Sequence, residues 1–247
     1  MKVDTINALE GDYKGYPCKK CNNKGYIAVL REDDSFFTRE CSCMPMRRCI
    51  RQMESSGLSK NIKNLTFDAF DAKAPWQVAL KGAVMEYAKA PQGWLMLGGQ
   101  SGSGKTHLCT AVCRELLLRG ESLMYMPWRE YIGRLKALSM DARERSELLS
   151  KCKNSPWLYI DDLYKTGRNQ ENNTHPTSAD INLAFEILNH RYCQDLPTII
   201  SSEKTPQELV AIDEATGSRI IEMCGKFVYC ITPDPGKNYR MRNIASF

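Results

Sequence analysis

Apolar positions fall into two patterns along the chain. From Trp76 onward, short apolar runs alternate with stripes at helical spacing. Trp94-Leu95-Met96-Leu97 reads as a buried strand flanked by Gly93 and Gly98, and Leu108, Val112 and Leu116 place an apolar stripe on a helix that ends at Gly120. Val78, Leu80, Val84 and Tyr87 give a helix over 76–90, closed by Pro91-Gln92-Gly93. Further strands are expected at 122–126, 157–160, 197–201 and 227–231. Polar-faced helices are expected at 127–138 and 141–152, and an amphipathic one at 177–193, with Ile181, Ala184, Phe185 and Leu188 on one face. Thr205-Pro206 is an N-cap followed by proline at the first helical position, and another helix follows at 218–224. Strands alternating with helices specify an α/β domain with a parallel sheet covered on both faces.

The N-terminal part reads differently. Residues 26–30 and 36–38 suit two short strands joined by the charged turn Arg31-Glu32-Asp33-Asp34. Before them, the segment to Gly11 is polar, with only Ile6 and Leu9 to anchor it. After them, 47–53 looks helical and basic; a solvated face is the expected use of those charges, and nucleic-acid or partner contact the alternative. Residues 59–75 form a linker whose Phe67 and Phe70 should pack on the main domain. The boundary falls between a module at 1–58 and a domain at 59–247, and no internal repeat interrupts either.

Composition narrows the chemistry. At 247 residues the chain can bury a sizeable core without disulfides, and a net charge of +5 permits nucleic-acid contact without requiring it. No signal peptide or run of about 20 apolar residues is found, so a cytoplasmic protein is expected. Eleven cysteines are present, five of them between Cys18 and Cys49; Cys109, Cys113 and Cys193 fall in helices as small apolar residues. Cys18 and Cys21 make a C-x₂-C, and Cys41 and Cys43 a C-x-C, on either side of the hairpin. Thiolates from two tight turns can close a tetrahedron around Zn²⁺, and so small a hairpin has no core of its own. Cys49 is an alternative fourth ligand. Nothing suggests the electron transfer of an Fe–S cluster.

Gly99-Gln100-Ser101-Gly102-Ser103-Gly104-Lys105-Thr106 fits G-x-x-x-x-G-K-[ST] at every fixed position, between a strand and a helix. Glycines let successive amides point at a triphosphate, aided by the helix N-terminus. The expected ATP cradle is Gly99, Ser101, Gly102, Ser103, Gly104, Lys105 and Thr106, with His107 next on the helix. Lys105 reaches the β- and γ-phosphates, and the Thr106 hydroxyl holds Mg²⁺. Asp161, after four apolar residues, suits the Mg²⁺ shell at a strand end beside the loop, and Asp162 suits the orientation of attacking water. His107, His175 and His190 have no ligand spacing.

This order of elements resembles the AAA+ ATPases and, more closely, the bacterial and phage helicase loaders of the DnaC/DnaI type and the transposition helper IstB. The resemblance rests on 99–106, Leu158-Tyr159-Ile160-Asp161-Asp162-Leu163, Thr198-Ile199-Ile200-Ser201-Ser202 and Gly217-Ser218-Arg219-Ile220, and it covers the chain from about Leu65 onward. The cysteine hairpin is similar to N-terminal zinc modules of such loaders, and the helices at 127–152 fit the insertion of the initiator/loader clade. The resemblance implies a P-loop AAA+ parallel sheet flanked by helices, with a small N-terminal zinc-binding hairpin module. It implies slow, assembly-dependent ATP hydrolysis, with Arg219 as an arginine finger acting in trans and ATP-bound homo-oligomers. The implied partners are a hexameric replicative helicase, gripped by the N-terminal module, and single-stranded DNA. Glu203 stands where that family has its sensor Asn, and a carboxylate there repels a γ-phosphate unless it is protonated or turned away. Arg240 and Arg242 are candidates for a C-terminal phosphate sensor. Two alternatives stay open: an IstB-like transposition ATPase, and a non-hydrolysing adaptor whose zinc-bearing surface is switched by nucleotide. The zinc hairpin favours the loader over the first, and Asp162 with Arg219 favours hydrolysis over the second.

Overall fold

The computed structural model describes residues 2–13, 17–55, 64–165 and 175–241. They belong to two compact units, Met1–Gln52 and Met53–Phe247. The polar loop expected between Lys165 and His175, most of the linker's first residues, and Arg242 lie outside the described residues.

In the larger unit, five parallel strands form one sheet in the order β4-β5-β6-β3-β7: β3 (Leu95–Gly99), β4 (Leu123–Pro127), β5 (Trp157–Asp161), β6 (Thr198–Ser201) and β7 (Val228–Ile231). Every residue of β3, β5 and β6 is buried, as a parallel sheet covered on both faces requires. Alternate side chains divide between the faces. Met96, Met126, Leu158, Ile160 and Ile200 share a core with α5 (Trp128–Ala137), α6 (Ala142–Asn154), α7 (Ser178–Cys193) and α9 (Glu214–Cys224). Their neighbours Leu97, Tyr125 and Tyr159 point the other way. α3 (Pro75–Lys89) packs against α4 (Lys105–Leu118), which contacts β3, β4, β5 and β6.

The helices start where the side chains can cap them. Asp141 accepts from the Glu144 amide, Thr177 forms a capping box with Asp180, and Thr205 does so with Glu208 behind Pro206, at the head of α8 (Pro206–Ile212). α9 begins a turn earlier than its apolar spacing indicates. Asp213 caps it by accepting from the Thr216 amide, so Arg219 lies in mid-helix and not near the start. Gly217, inside that helix, has a packing reason: a Cβ there would stand 2.6 Å from the Val210 backbone of α8. Phe67 and Phe70 are buried as expected. No helix among the described residues is long and apolar enough to cross a membrane.

The smaller unit has α1 (Lys2–Ala8), the antiparallel pair β1 (Tyr26–Leu30) and β2 (Phe36–Glu40), and α2 (Met44–Ser55). α1 is the element that apolar spacing misses. Its Leu9 neighbour is 58% exposed, so hydrophobic anchoring does not hold it. Instead Asn7 pairs with the β1 backbone, donating to Ala28 O and accepting from Ala28 N at 2.9 Å each. The carbonyls of Asn7 and Leu9 accept from Lys24 Nζ at 2.8 and 2.6 Å. All five residues of β2 are exposed. The buried centre of this unit is the cysteine cluster itself.

Candidate functional site

The loop from Gly99 to Thr106 turns on three glycines with positive φ, Gly99 (95°), Gly102 (72°) and Gly104 (94°). A Cβ at Gly104 would meet the Phe70 ring at 2.6 Å, and one at Gly99 would overlap the Ile231 carbonyl. The backbone conformation therefore needs glycine twice over, from dihedral and from space. Ser103 is buried and donates to Gln100 O at 2.7 Å, tightening the turn. Lys105 opens α4 with its ammonium drawn back over the loop, 2.8 Å from Gly99 O and 2.7 Å from Gln100 O. Burial pulls its pKa below the usual lysine value, while Asp162 and Glu203 act to raise it. Glycine-loop amides at a helix N-terminus and a buried ammonium are the kind of donor set that a polyphosphate takes. His107 faces away from that set: its Nε2 is 2.8 Å from Thr66 O, and its ring stacks edge-on with Phe70.

Asp161 ends β5, which is not the neighbour of β3; β6 lies between them. The acid nevertheless reaches the loop helix, because the Thr106 hydroxyl donates to Asp161 Oδ1 at 3.0 Å. Tyr159 OH (2.6 Å) and Ser201 Oγ (2.5 Å) donate to the same oxygen, and Tyr125 OH donates to Oδ2 at 2.9 Å. A buried carboxylate ringed by hydroxyls is fixed in direction. With Thr106 it offers hard oxygen ligands on one side, a set that fits Mg²⁺ and its waters. Tyr159 is legible in retrospect, since i and i+2 on a strand share a face. Tyr125 and Ser201 come from other strands.

Asp162 follows in a left-handed turn, with φ of 58°, and Tyr164 repeats the conformation at 62°. Such φ values in non-glycine residues store strain of about 1–3 kcal/mol each and gather at functional sites. The Asp162 amide donates to Ser201 Oγ at 3.0 Å, which sets the turn. Burial, then the charge of Asp161, pushes the Asp162 carboxyl above its ordinary range. Lys165 Nζ stands 2.8 Å from Asp162 Oδ2 and 3.2 Å from Glu203 Oε1. Burial acts to raise the Glu203 pKa too, but the facing Ser101 side chain and Lys165 more than reverse it, so Glu203 stays anionic.

Arg219 is not brought to this cluster. Its Nη1 donates to Ala215 O at 2.7 Å, and its guanidinium lies over the rings of Tyr192 (5.3 Å) and Phe185 (5.6 Å) on α7. Its Nε has no hydrogen-bond partner among the described residues. Arg240 is exposed, with its amide tied to Asn238 Oδ1. The chain after β7 returns to the loop: the Tyr239 amide donates to Gly102 O at 3.0 Å.

In the smaller unit Cys18, Cys21, Cys41 and Cys43 converge, with their Sγ atoms all within 4.8 Å of one another. Cys18–Cys41 and Cys21–Cys43 are 3.9 and 3.7 Å apart. A tetrahedron with Zn–S bonds of about 2.3 Å has edges of about 3.8 Å, so the thiols fit Zn²⁺. The four close without Cys49, whose side chain lies outside the described residues. Left-handed Asn22 and Asn23 and Gly25 shape the first turn, and the Gly25 amide points at Cys21 Sγ, 3.3 Å away. Within 47–53, expected to be a solvated face, Arg48 and Arg51 are exposed and Arg47 is the exception. It is buried, its Nε is 3.3 Å from Cys43 Sγ, and its Nη2 donates to Asn23 Oδ1 at 3.1 Å. A guanidinium there offsets the negative charge of a tetrathiolate centre.

A sequence profile described as the bacterial DnaA ATPase domain matches residues 62–224. The phage-like element PBSX protein XkdC of Bacillus subtilis is 33% identical over 90% of this chain and 85% of its own length. The replicative helicase loader DnaI of the same organism is 27% identical over 77% of this chain. The chain spans 63% of DnaI's own length and 64% of that of a further B. subtilis relative, YqaM. The crystal structure of the DnaC helicase loader superposes with a TM-score of 0.56 at 21% identity, over 71% of this chain and all of that one, a likeness of fold. The chain belongs to the AAA+ family of the bacterial DnaA ATPase domain, in its DnaC/DnaI-type branch.

Proposed function

We propose that this chain is an ATP-dependent loader that places a hexameric replicative helicase on single-stranded DNA. The observation that carries the reading is the Thr106–Asp161 hydrogen bond, which joins a glycine cradle with a buried lysine to a strand-end carboxylate. That is the constellation for holding Mg²⁺ and the β- and γ-phosphates of ATP. In this reading Lys105 binds phosphate, Thr106 and Asp161 hold the metal, and Asp162 orients water. Arg219 acts in trans on nucleotide held by a neighbouring copy. Residues 1–58, with Zn²⁺ on Cys18, Cys21, Cys41 and Cys43, form the helicase-gripping module, and 59–247 the ATPase that touches DNA. Kinship to a phage-like element protein favours service in phage replication over chromosomal initiation. The test is direct. Purified chain, mixed with a hexameric replicative helicase and a single-stranded circle, should retain the helicase on DNA with ATP and release it after hydrolysis. If helicase occupancy on the circle is the same with and without the chain, the loader reading fails.

A further inference from the structure

The network around Glu203 supplies what the position itself lacks. β6 lies between the P-loop strand and the Asp161 strand, so residues just beyond its C-terminal end stand between loop and acid. A neutral amide at Glu203 could donate to a γ-phosphate; a carboxylate can only accept. This carboxylate is ionised, because Ser101 and Lys165 hold it so. Together with Asp161 and Asp162 it makes three acids around a site for polyanion, against one loop lysine, and that balance opposes ATP more than ADP. Lys165 lessens the imbalance, and does so on the Glu203 side of the site. Its ammonium bridges Asp162 and Glu203, and both partners act on the pKa of Lys105. Its side chain is 36% exposed, so the ammonium is not sealed in a core and can be shared with an arriving anion.

We propose that Lys165, held between Glu203 and Asp162, is the cation through which this chain reads a γ-phosphate, so that the Glu203–Lys165 pair replaces a neutral sensor side chain. The inference rests on the nucleotide reading of the P-loop. A plain surface ion pair is the competing account, and it predicts no nucleotide discrimination, since such a pair affects stability by about 0–1 kcal/mol and touches no ligand.

Affinity for ATP in Mg²⁺ and for ADP, measured on the full chain by calorimetry, separates the two. Lys165→Met should weaken ATP by roughly tenfold or more, the scale of one charge-assisted contact, and leave ADP within about twofold. Lys165→Arg should keep most of the discrimination. Lys165→Met with Glu203→Gln should recover part of the ATP affinity, because the stranded carboxylate is gone. Glu203→Gln alone, which keeps the cation, should hold or raise the ATP-to-ADP preference, and this provides a second reading should Lys165→Met fold poorly. Equal loss of both nucleotides in Lys165→Met, or an unchanged ratio in a folded variant, overturns the proposal. Wild-type chain that binds neither nucleotide overturns the P-loop reading, and this inference with it.

Discussion

The two units of this chain are held together by different physics. In the larger one, the core that joins one sheet face to α5, α6, α7 and α9 contains Trp94, Trp128, Leu158, Ile160 and Ile187, all at or near zero exposure. Each such side chain contributes about 1.5–3 kcal/mol of burial. In the smaller one the buried centre is Cys21, Cys41 and Cys43, with Cys18, Ile27 and Met44 packed alongside, and one strand of the β1–β2 hairpin is exposed throughout. Apolar burial can hold the first unit in many ways at once. The second depends on one centre, and its polar contacts (Asn7 on β1, Arg47 on Cys43) are arranged about it.

Removing the metal should separate the two units most strongly. Freshly purified, reduced chain should carry about one Zn²⁺. Chelation should unfold residues of the smaller unit, since structural zinc contributes on the order of 10 kcal/mol or more in small modules. The larger unit should keep its thermal transition and its nucleotide affinity. Amide exchange along β1 and β2 reads the first effect, and calorimetry the second. A single cooperative melt that moves as one with chelator would show that the units are not independently held.

A second test sharpens the other half, that chemistry resides in the cored unit. Lys105→Ala should lose nucleotide binding in a folded domain. Arg219→Ala should keep binding and lose hydrolysis by about a thousandfold, the scale of an arginine finger. Mixing the two should restore turnover, because one supplies an intact loop and the other an intact finger. If wild type hydrolyses ATP while demonstrably monomeric and the mixture stays dead, Arg219 serves only to pack α9 on α7, over Tyr192 and Phe185.

Arg191 shows that the cored unit also depends on single polar residues. It is fully buried in α7, with no carboxylate partner among the described residues; burial pulls its pKa down to about 10, still charged at neutral pH. Its guanidinium donates to the carbonyls of Cys152, Lys153, Ser155 and Pro197 and to Thr198 Oγ1, closing the C-terminal end of α6 onto β6. Arg191→Met should cost about 3–5 kcal/mol, because several acceptors lose their donor at once. A urea titration measures this, and zinc content should not move.

How much of this was legible in the chain depends on the range of the interaction concerned. β3, β5 and β6 were readable because a strand buried on both faces has to be an unbroken apolar run. The P-loop was readable because Gly99, Gly102 and Gly104 meet a backbone requirement that other residues do not. The cysteine spacing brought four thiols to one point for a similar reason: tight turns are local. What escaped was long-range. Tyr125 and Ser201 reach Asp161 from other strands, Lys165 meets Glu203 across 38 positions, and Arg47 looks like any basic helix residue until the hairpin folds under it. α1 escaped because Asn7 and Lys24, not an apolar stripe, hold it. The start of α9 was hidden by Gly217, a poor helix former kept for its close approach to α8.

The smallest expected effect tests whether the cored unit gives up stability for its site. The Asp162 carboxyl has a folded-state pKa above its ordinary value, from burial first and the Asp161 charge second, with the attraction of Lys165 not enough to reverse it. A raised pKa means that folding favours the protonated form. The contribution to stability is present at acid pH, below the unfolded value, and is lost as pH rises through the folded one. At neutral pH wild type therefore carries an ionised group that the fold disfavours. Asp162→Asn removes that ionisation while keeping a residue that tolerates a φ of 58°. Its thermal midpoint should exceed that of wild type at neutral pH, and the gap should shrink as pH falls into the carboxylate range, while ATP turnover drops. A variant that is less stable at neutral pH, with a deficit that narrows as pH falls, would reverse the sign and make Asp162 a structural partner of Lys165, not a carboxylate kept under strain for the site.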